Sequence, residues 1–185
     1  VLLGFGFLVL GPSVATLVRL VREPFLIAFS TSSSEAAYPK TVEQLERFGA
    51  SRRIVSFVLP LGYSFNLVGT MMYATFGCIF IAQAYGIEMP ITTQVAMLAM
   101  LMLTSKGMAG VPRASLVVIA ATLPSFGLPE AGLLLIMGID QFLDMGRSAT
   151  NVLGNSIATC VIAKWEGEID AGMTAAAAAA PAPAP

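Results

Sequence analysis

The chain has 185 residues, of which 56% are hydrophobic and only 11% charged, and its mean hydropathy is +0.80. Soluble domains carry about 25% charged residues, so this surface is built for lipid rather than water. A net charge of −1 excludes nucleic acid as a partner, and the absence of histidine removes His-based triads and most zinc or haem sites. Cys78 and Cys160 stand inside apolar runs and read as small buried hydrophobes, not as a disulfide or metal site.

Val1 opens in the middle of an apolar run with no charged leader, so the chain reads as a piece whose N-terminal part is absent. Residues 1–18 fit the end of a transmembrane helix. Residues 19–53 begin with Arg19, Arg22 and Glu23, turn apolar from Pro24, and reach the polar run Thr31-Ser32-Ser33-Ser34-Glu35. An amphipathic return follows to Arg53, and the whole reads as a first re-entrant hairpin. Residues 54–87 form a long apolar span broken at Asn66-Leu67-Val68-Gly69-Thr70. Residues 91–128 contain two short apolar arms, Ile91–Thr104 and Ala114–Leu128. At 1.5 Å per residue, ~14 residues rise ~21 Å, less than a ~30 Å hydrocarbon core. The breaker-rich turn between them, Ser105 to Arg113, makes this a second re-entrant hairpin. Residues 130–165 are long enough to span, yet carry Asp140, Asp144, Arg147, Asn151 and Asn155, with Lys164 and Trp165 marking an interface. The Ala/Pro tail, 171–185, reads as disordered. Basic ends at Arg19–Arg22, Arg47–Arg53 and Lys164 are cytoplasmic by the positive-inside rule, and the linkers holding Glu88 and Glu130 are external.

The last span carries the clearest chemistry. At about 100° per residue, Asp140, Asp144, Arg147, Ser148, Asn151 and Asn155 share a wedge roughly 100° wide. Charges in a spanning helix are costly and normally face a polar cavity. Either Arg147 only pairs with Asp140 or Asp144 in a structural seam, or its guanidinium fork receives an anionic substrate, since that fork holds a carboxylate bidentately. The break at Asn66–Thr70 either kinks the helix or offers unwound carbonyls to a cation. The hairpin tips, at Ser32–Ser34 and Gly107–Val111, expose small residues and backbone amides at half-helix ends, which suit carboxylates and cations. Ser105 and Lys106 are adjacent on a helix and point apart, so they do not form a nucleophile pair.

In combination these motifs resemble the dicarboxylate/amino acid:cation symporter family. Five pieces carry the resemblance, in the family's order: Ser32-Ser33-Ser34-Glu35; Leu59-Pro60-Leu61-Gly62 with Asn66 and Gly69-Thr70; Gly107-Met108-Ala109-Gly110-Val111-Pro112; Gly138-Ile139-Asp140; and Asp144-Met145-Gly146-Arg147 with Asn151. The resemblance implies an all-α membrane protein, a transport domain with two re-entrant hairpins, a broken transmembrane helix and an amphipathic one. It also implies a homotrimer whose transport domains move like elevators. By position it assigns Ser33, Ser34, Thr70, Gly110, Val111, Asp144, Arg147, Ser148 and Asn151 to the substrate, with Asp140 supporting Arg147 from behind. One cation site would use Gly62, Asn66, Asn151 and Asn155, and another the backbone oxygens of Ser64, Ser105, Lys106 and Met108. Val68 and Asn155 stand where the glutamate/aspartate members have carboxylates. Ser34-Glu35, Tyr63-Ser64-Phe65-Asn66, Gly154-Asn155 and Ala163-Lys164-Trp165 lean to the C4-dicarboxylate branch, and Asp144 leans the other way.

The expectation is a symporter of the plasma (bacterial inner) membrane, surrounded by lipid. It moves a C4-dicarboxylate such as succinate, fumarate or malate, or an acidic amino acid, coupled to protons or sodium. It is not an enzyme and has no cofactor. The alternatives are an anion-conducting channel and an intramembrane hydrolase using Ser105 or one of Ser32–Ser34. A channel needs a continuous polar path, and a hydrolase needs a base that this sequence lacks.

Overall fold

The computed structural model describes residues 1–106 and 112–180, and among them every regular element is a helix. An isolated antiparallel bridge joins Ala50 and Ile169.

The stretch 1–18 is two helices rather than one, α1 (Leu2–Leu10) and α2 (Ser13–Leu20). Gly11 takes φ 65°, and Pro12 behind it has no N–H to continue the ladder. From α2 the chain passes through Val21 into α3 (Arg22–Thr31), which ends on Ser32 in the left-handed region. After a turn over 32–37, α4 (Tyr38–Phe48) returns with Pro39 in its first turn. Its apolar face buries Thr41, Gln44, Leu45 and Phe48, the i, i+3, i+4, i+7 spacing of an amphipathic helix.

The long apolar span folds as α5 (Arg52–Phe65) and α6 (Val68–Ala84). Ser51 caps α5 by accepting from the Ile54 amide, and Pro60 weakens its last turns by removing one amide donor. Asn66 (φ −114°, ψ 59°) and Leu67 (φ −92°, ψ 65°) are non-helical, so the break falls where the Asn-Leu-Val-Gly-Thr motif puts it. Among the described residues, Arg52–Ala84 is the one helical run long and apolar enough to cross a membrane. The next helices, α7 (Ile91–Thr104) and α8 (Ala114–Thr122), are apolar and short.

The expected single helix over 130–165 is interrupted. Its start is a 3₁₀ turn, Glu130–Gly132, followed by α9 (Leu133–Met137), and Gly138-Ile139 separates these from α10 (Asp140–Trp165). With 26 residues, α10 is roughly 39 Å long at 1.5 Å per residue. It is the central post, packed on α1, α3, α5 and α6.

The tail also departs from expectation. Residues 171–179, read from composition as disordered, form α11 (Ala171–Ala179), while 181–185 lie outside the described residues. Alanine has the highest helix propensity of any residue, and Asp170 caps the first turn by accepting from Gly172 and Met173. Docking supplies the rest. Arg19 donates to the carbonyls of Ala177 and Ala178, and Thr174 donates to that of Phe48 at 2.7 Å.

Two large apolar clusters, with a small third one of Ala28, Ala37 and Val152, hold the described helices. One gathers Leu17, Leu45, Phe48, Val55, Leu59, Ile157 and Cys160 from α2, α4, α5 and α10. The other gathers Tyr73, Cys78, Ile81, Met97, Leu101, Ile119 and Ile136 from α6, α7, α8 and α9. Along α5–α6 and along α10, the polar residues fall between the two. Large apolar side chains also face outward, among them Leu8, Phe57, Phe76, Leu103, Val117 and Phe142. This is the surface of a protein meant for lipid or for further protein.

Candidate functional site

The break between α5 and α6 is held against α10 by glycines and asparagines. Gly69 packs directly on the backbone of α10, where a Cβ would collide with the Arg147 carbonyl oxygen. Its amide, freed by the break, donates to Asn151 Oδ1 at 2.8 Å. A Cβ on Gly62 would lie 2.8 Å from Asn155 Oδ1, and that oxygen accepts from Asn66 Nδ2 at 3.0 Å. A broken helix frees backbone groups, and here Asn151 takes one freed amide while Asn155 takes the Asn66 side chain.

All six residues of the α10 wedge are buried: Asp140, Asp144, Arg147, Ser148, Asn151 and Asn155. Arg147 Nε donates to Asp144 Oδ1 at 2.6 Å, the i,i+3 pair, and Arg147 Nη1 reaches Thr70 Oγ1 at 3.3 Å. Asn151 Nδ2 meets the same hydroxyl at 3.2 Å. Thr70, Arg147 and Asn151 therefore converge on one point. A buried ion pair tolerates its desolvation only with good geometry and added hydrogen bonds, and both are present. Ser34 and Ser148 are buried, and neither hydroxyl finds a hydrogen-bond partner among the described residues. Ser33 is half-buried at the tip of the first hairpin, where its Oγ accepts from the Ala36 amide. Beside Arg147, a groove of about 370 Å³ runs between α6 and α10, lined mostly by apolar side chains such as Phe76 and Leu143.

Several contacts of this layer were not legible as spacing. Tyr73 donates to Asp140 Oδ1 at 2.5 Å, although its place one turn after Thr70 on α6 puts it on the same face. Gln141 Nε2 donates to Ser32 Oγ at 2.9 Å and ties the first hairpin tip to α10. Arg113 donates its backbone N–H to Asp144 Oδ2 at 2.8 Å, and its Nε stands 3.7 Å from Asp140 Oδ2. Asp140 thus faces Tyr73 and Arg113.

The two expected cation groups fare differently. Asn66, Asn155 and the Gly62 turn are neighbours, with Asn151 one helical turn away on α10. Ser64 is exposed and bonds back to the Pro60 carbonyl, Ser105 is buried against Met71, and Lys106 Nζ reaches the Phe65 carbonyl beside Ser64. Met108, Gly110 and Val111 lie outside the described residues. Among the described residues no cluster of three or more carboxylates or thiols could hold a metal ion. A cation here would rely on carbonyl and amide oxygens, the ligands that suit hard ions.

A buried guanidinium–carboxylate pair lies beside a broken helix, in a largely apolar chain whose described elements are all helical, and this is the arrangement expected of a membrane transport protein. Residues 1–165 match the model of the sodium:dicarboxylate symporter family, and the chain belongs to that family, whose members are transporters and not enzymes. It is 48% identical to the proton/sodium-glutamate symport protein of Geobacillus stearothermophilus, over 91% of this chain and 40% of that protein. Identity is 48% to the proton/glutamate-aspartate symporter of Escherichia coli, over 92% and 39% respectively. It is 51% to a C4-dicarboxylate transport protein of Pseudomonas savastanoi pv. phaseolicola, over 86% and 35%. The chain therefore spans well under half the length of these relatives.

Proposed function

We propose that this chain forms the substrate-carrying part of a secondary active symporter that moves a C4-dicarboxylate or an acidic amino acid together with protons or sodium. The observation that carries this reading is Arg147. It is buried and aligned by Asp144, and its guanidinium reaches Thr70 Oγ1, which Asn151 also meets. A guanidinium so fixed is pre-organised for a substrate carboxylate, with little side-chain entropy left to lose on binding. Ser33, Ser34 and Ser148 would complete the polar lining with Gly110 and Val111. Asp144 would hold Arg147 in register or meet a substrate ammonium. Gly62, Asn66, Asn151 and Asn155 would take the coupled cation, with Ser64, Ser105, Lys106 and Met108 as a second group. The hairpins 19–53 and 91–128 would re-enter the membrane, and the unit would move as an elevator within a homotrimer of the bacterial inner membrane.

The test is uptake of labelled succinate and aspartate by the full polypeptide in proteoliposomes, with and without a sodium gradient. Losing a charge-assisted hydrogen bond costs about 1.5–3 kcal/mol, and an unpaired buried carboxylate costs more. Arg147→Ala is therefore expected to reduce uptake of both substrates at least tenfold. Saturable counterflow in the wild type separates a carrier from a channel. Near-normal uptake by Arg147→Ala would overturn the assignment.

A further inference from the structure

Arg113 has two local reasons not to be an arginine. Its backbone sits at φ 63°, ψ 6°, a left-handed conformation that glycine adopts freely and other residues do not. It also stands directly before the first turn of α8, where the free amides make a cation the unfavourable charge. The two buried carboxylates of α10 offset both costs. The Arg113 amide donates to Asp144 Oδ2 at 2.8 Å, and its guanidinium Nε lies 3.7 Å from Asp140 Oδ2. Both acids are 1% exposed, whereas the Arg113 side chain is 62% exposed. A separation of 3.7 Å is an ion pair but lies beyond hydrogen-bond range. The guanidinium thus compensates Asp140 while most of its side-chain surface stays exposed.

We propose that Arg113 is a specificity-determining residue: its guanidinium balances Asp140 and thereby admits a substrate with two carboxylates and no ammonium group. This rests on the transport reading above. With Arg113 present, the two acids of the layer, Asp140 and Asp144, are matched by two guanidiniums, Arg147 and Arg113. Without it the layer keeps one uncompensated negative charge. That charge repels a dianion such as succinate more than an acidic amino acid, whose ammonium offsets one of its carboxylates.

The experiment measures, with the full polypeptide in proteoliposomes, the concentrations of unlabelled succinate and aspartate that halve uptake. The wild type is compared with Arg113→Gly, which removes the charge and accepts the left-handed backbone, and with Arg113→Lys, which keeps the charge. Arg113→Gly is expected to weaken succinate at least tenfold relative to aspartate, and Arg113→Lys to restore most of the ratio. If Arg113→Gly does not turn over, the same ratio is read from melting-temperature shifts on adding each compound. A ratio within twofold of wild type in Arg113→Gly, or an equal shift in Arg113→Lys, overturns the proposal. So does a wild type that transports aspartate and is indifferent to succinate. A wild type that takes up neither compound overturns the transport reading itself, which an unchanged ratio with intact uptake does not.

Discussion

Replacing Gly69 with alanine tests how the broken helix is held. The added Cβ would collide with the Arg147 carbonyl oxygen and lie about 3.0 Å from the Arg147 carbonyl carbon and Thr150 Cβ. Two of these atoms are backbone of α10 and cannot swing aside. Forcing a methyl into such a contact costs roughly 1–3 kcal/mol. Pushing α6 away also stretches the 2.8 Å bond from the Gly69 amide to Asn151, which is worth roughly 0.5–1.5 kcal/mol. The expected destabilisation is therefore about 2–4 kcal/mol, a fall in melting temperature on the order of 10 °C for a chain of this size. Cys78 and Cys160, the only cysteines, are both fully buried, so a thiol-reactive fluorophore reports unfolding directly. Gly146→Ala is the internal control, because a Cβ there meets nothing within 4 Å and alanine favours the helix by roughly 0.5–1 kcal/mol. If Gly69→Ala melts within a degree or two of Gly146→Ala, the close approach of α6 to α10 is not what holds the break in place.

Two further changes probe the same layer. Val68 lies beside Gly154 on α10, so Val68→Asp with Asn155→Asp adds two carboxylates near Asn66 without crossing the fold. Sodium dependence of uptake should steepen, since a hard cation prefers charged oxygens, and an unchanged sodium response would rule out a cation site there. Tyr73→Phe removes the hydroxyl that donates to Asp140 at 2.5 Å and should cost about 1.5–3 kcal/mol, because the acceptor is a buried acid. The same thiol-dye melt reads that loss, and a change below about 0.5 kcal/mol would mean that Asp140 is held by other groups.

Periodicity made the α10 wedge legible, because its charged residues and both asparagines share one face of a helix that is elsewhere mostly apolar. The break was legible too, since Asn66 and Gly69 interrupt the middle of a long apolar run just after Pro60 and Gly62. Partners across helices were not. Nothing in the spacing of Tyr73 or Arg113 announces Asp140, because a contact between α6 or α8 and α10 depends on how helices pack and not on either helix alone. Glycine and proline also broke helices at Gly11-Pro12 and Gly138, where continuous hydropathy favoured an unbroken span. The alanine-rich tail erred the other way. Its composition buries little by itself, and it folds because Asp170, Arg19 and Phe48 supply a cap and a dock.

The pairing of Asp140 and Asp144 with Arg113 and Arg147 has an electrical consequence. Work against a membrane potential is about 2.3 kcal/mol per elementary charge per 100 mV. If the unit travels as proposed above, a layer whose fixed charges cancel adds nothing to that work. The voltage dependence of such a carrier would then be set by its passengers alone. A dianion with two cations crosses without sensing the field, and each extra cation makes inward movement steeper by one charge.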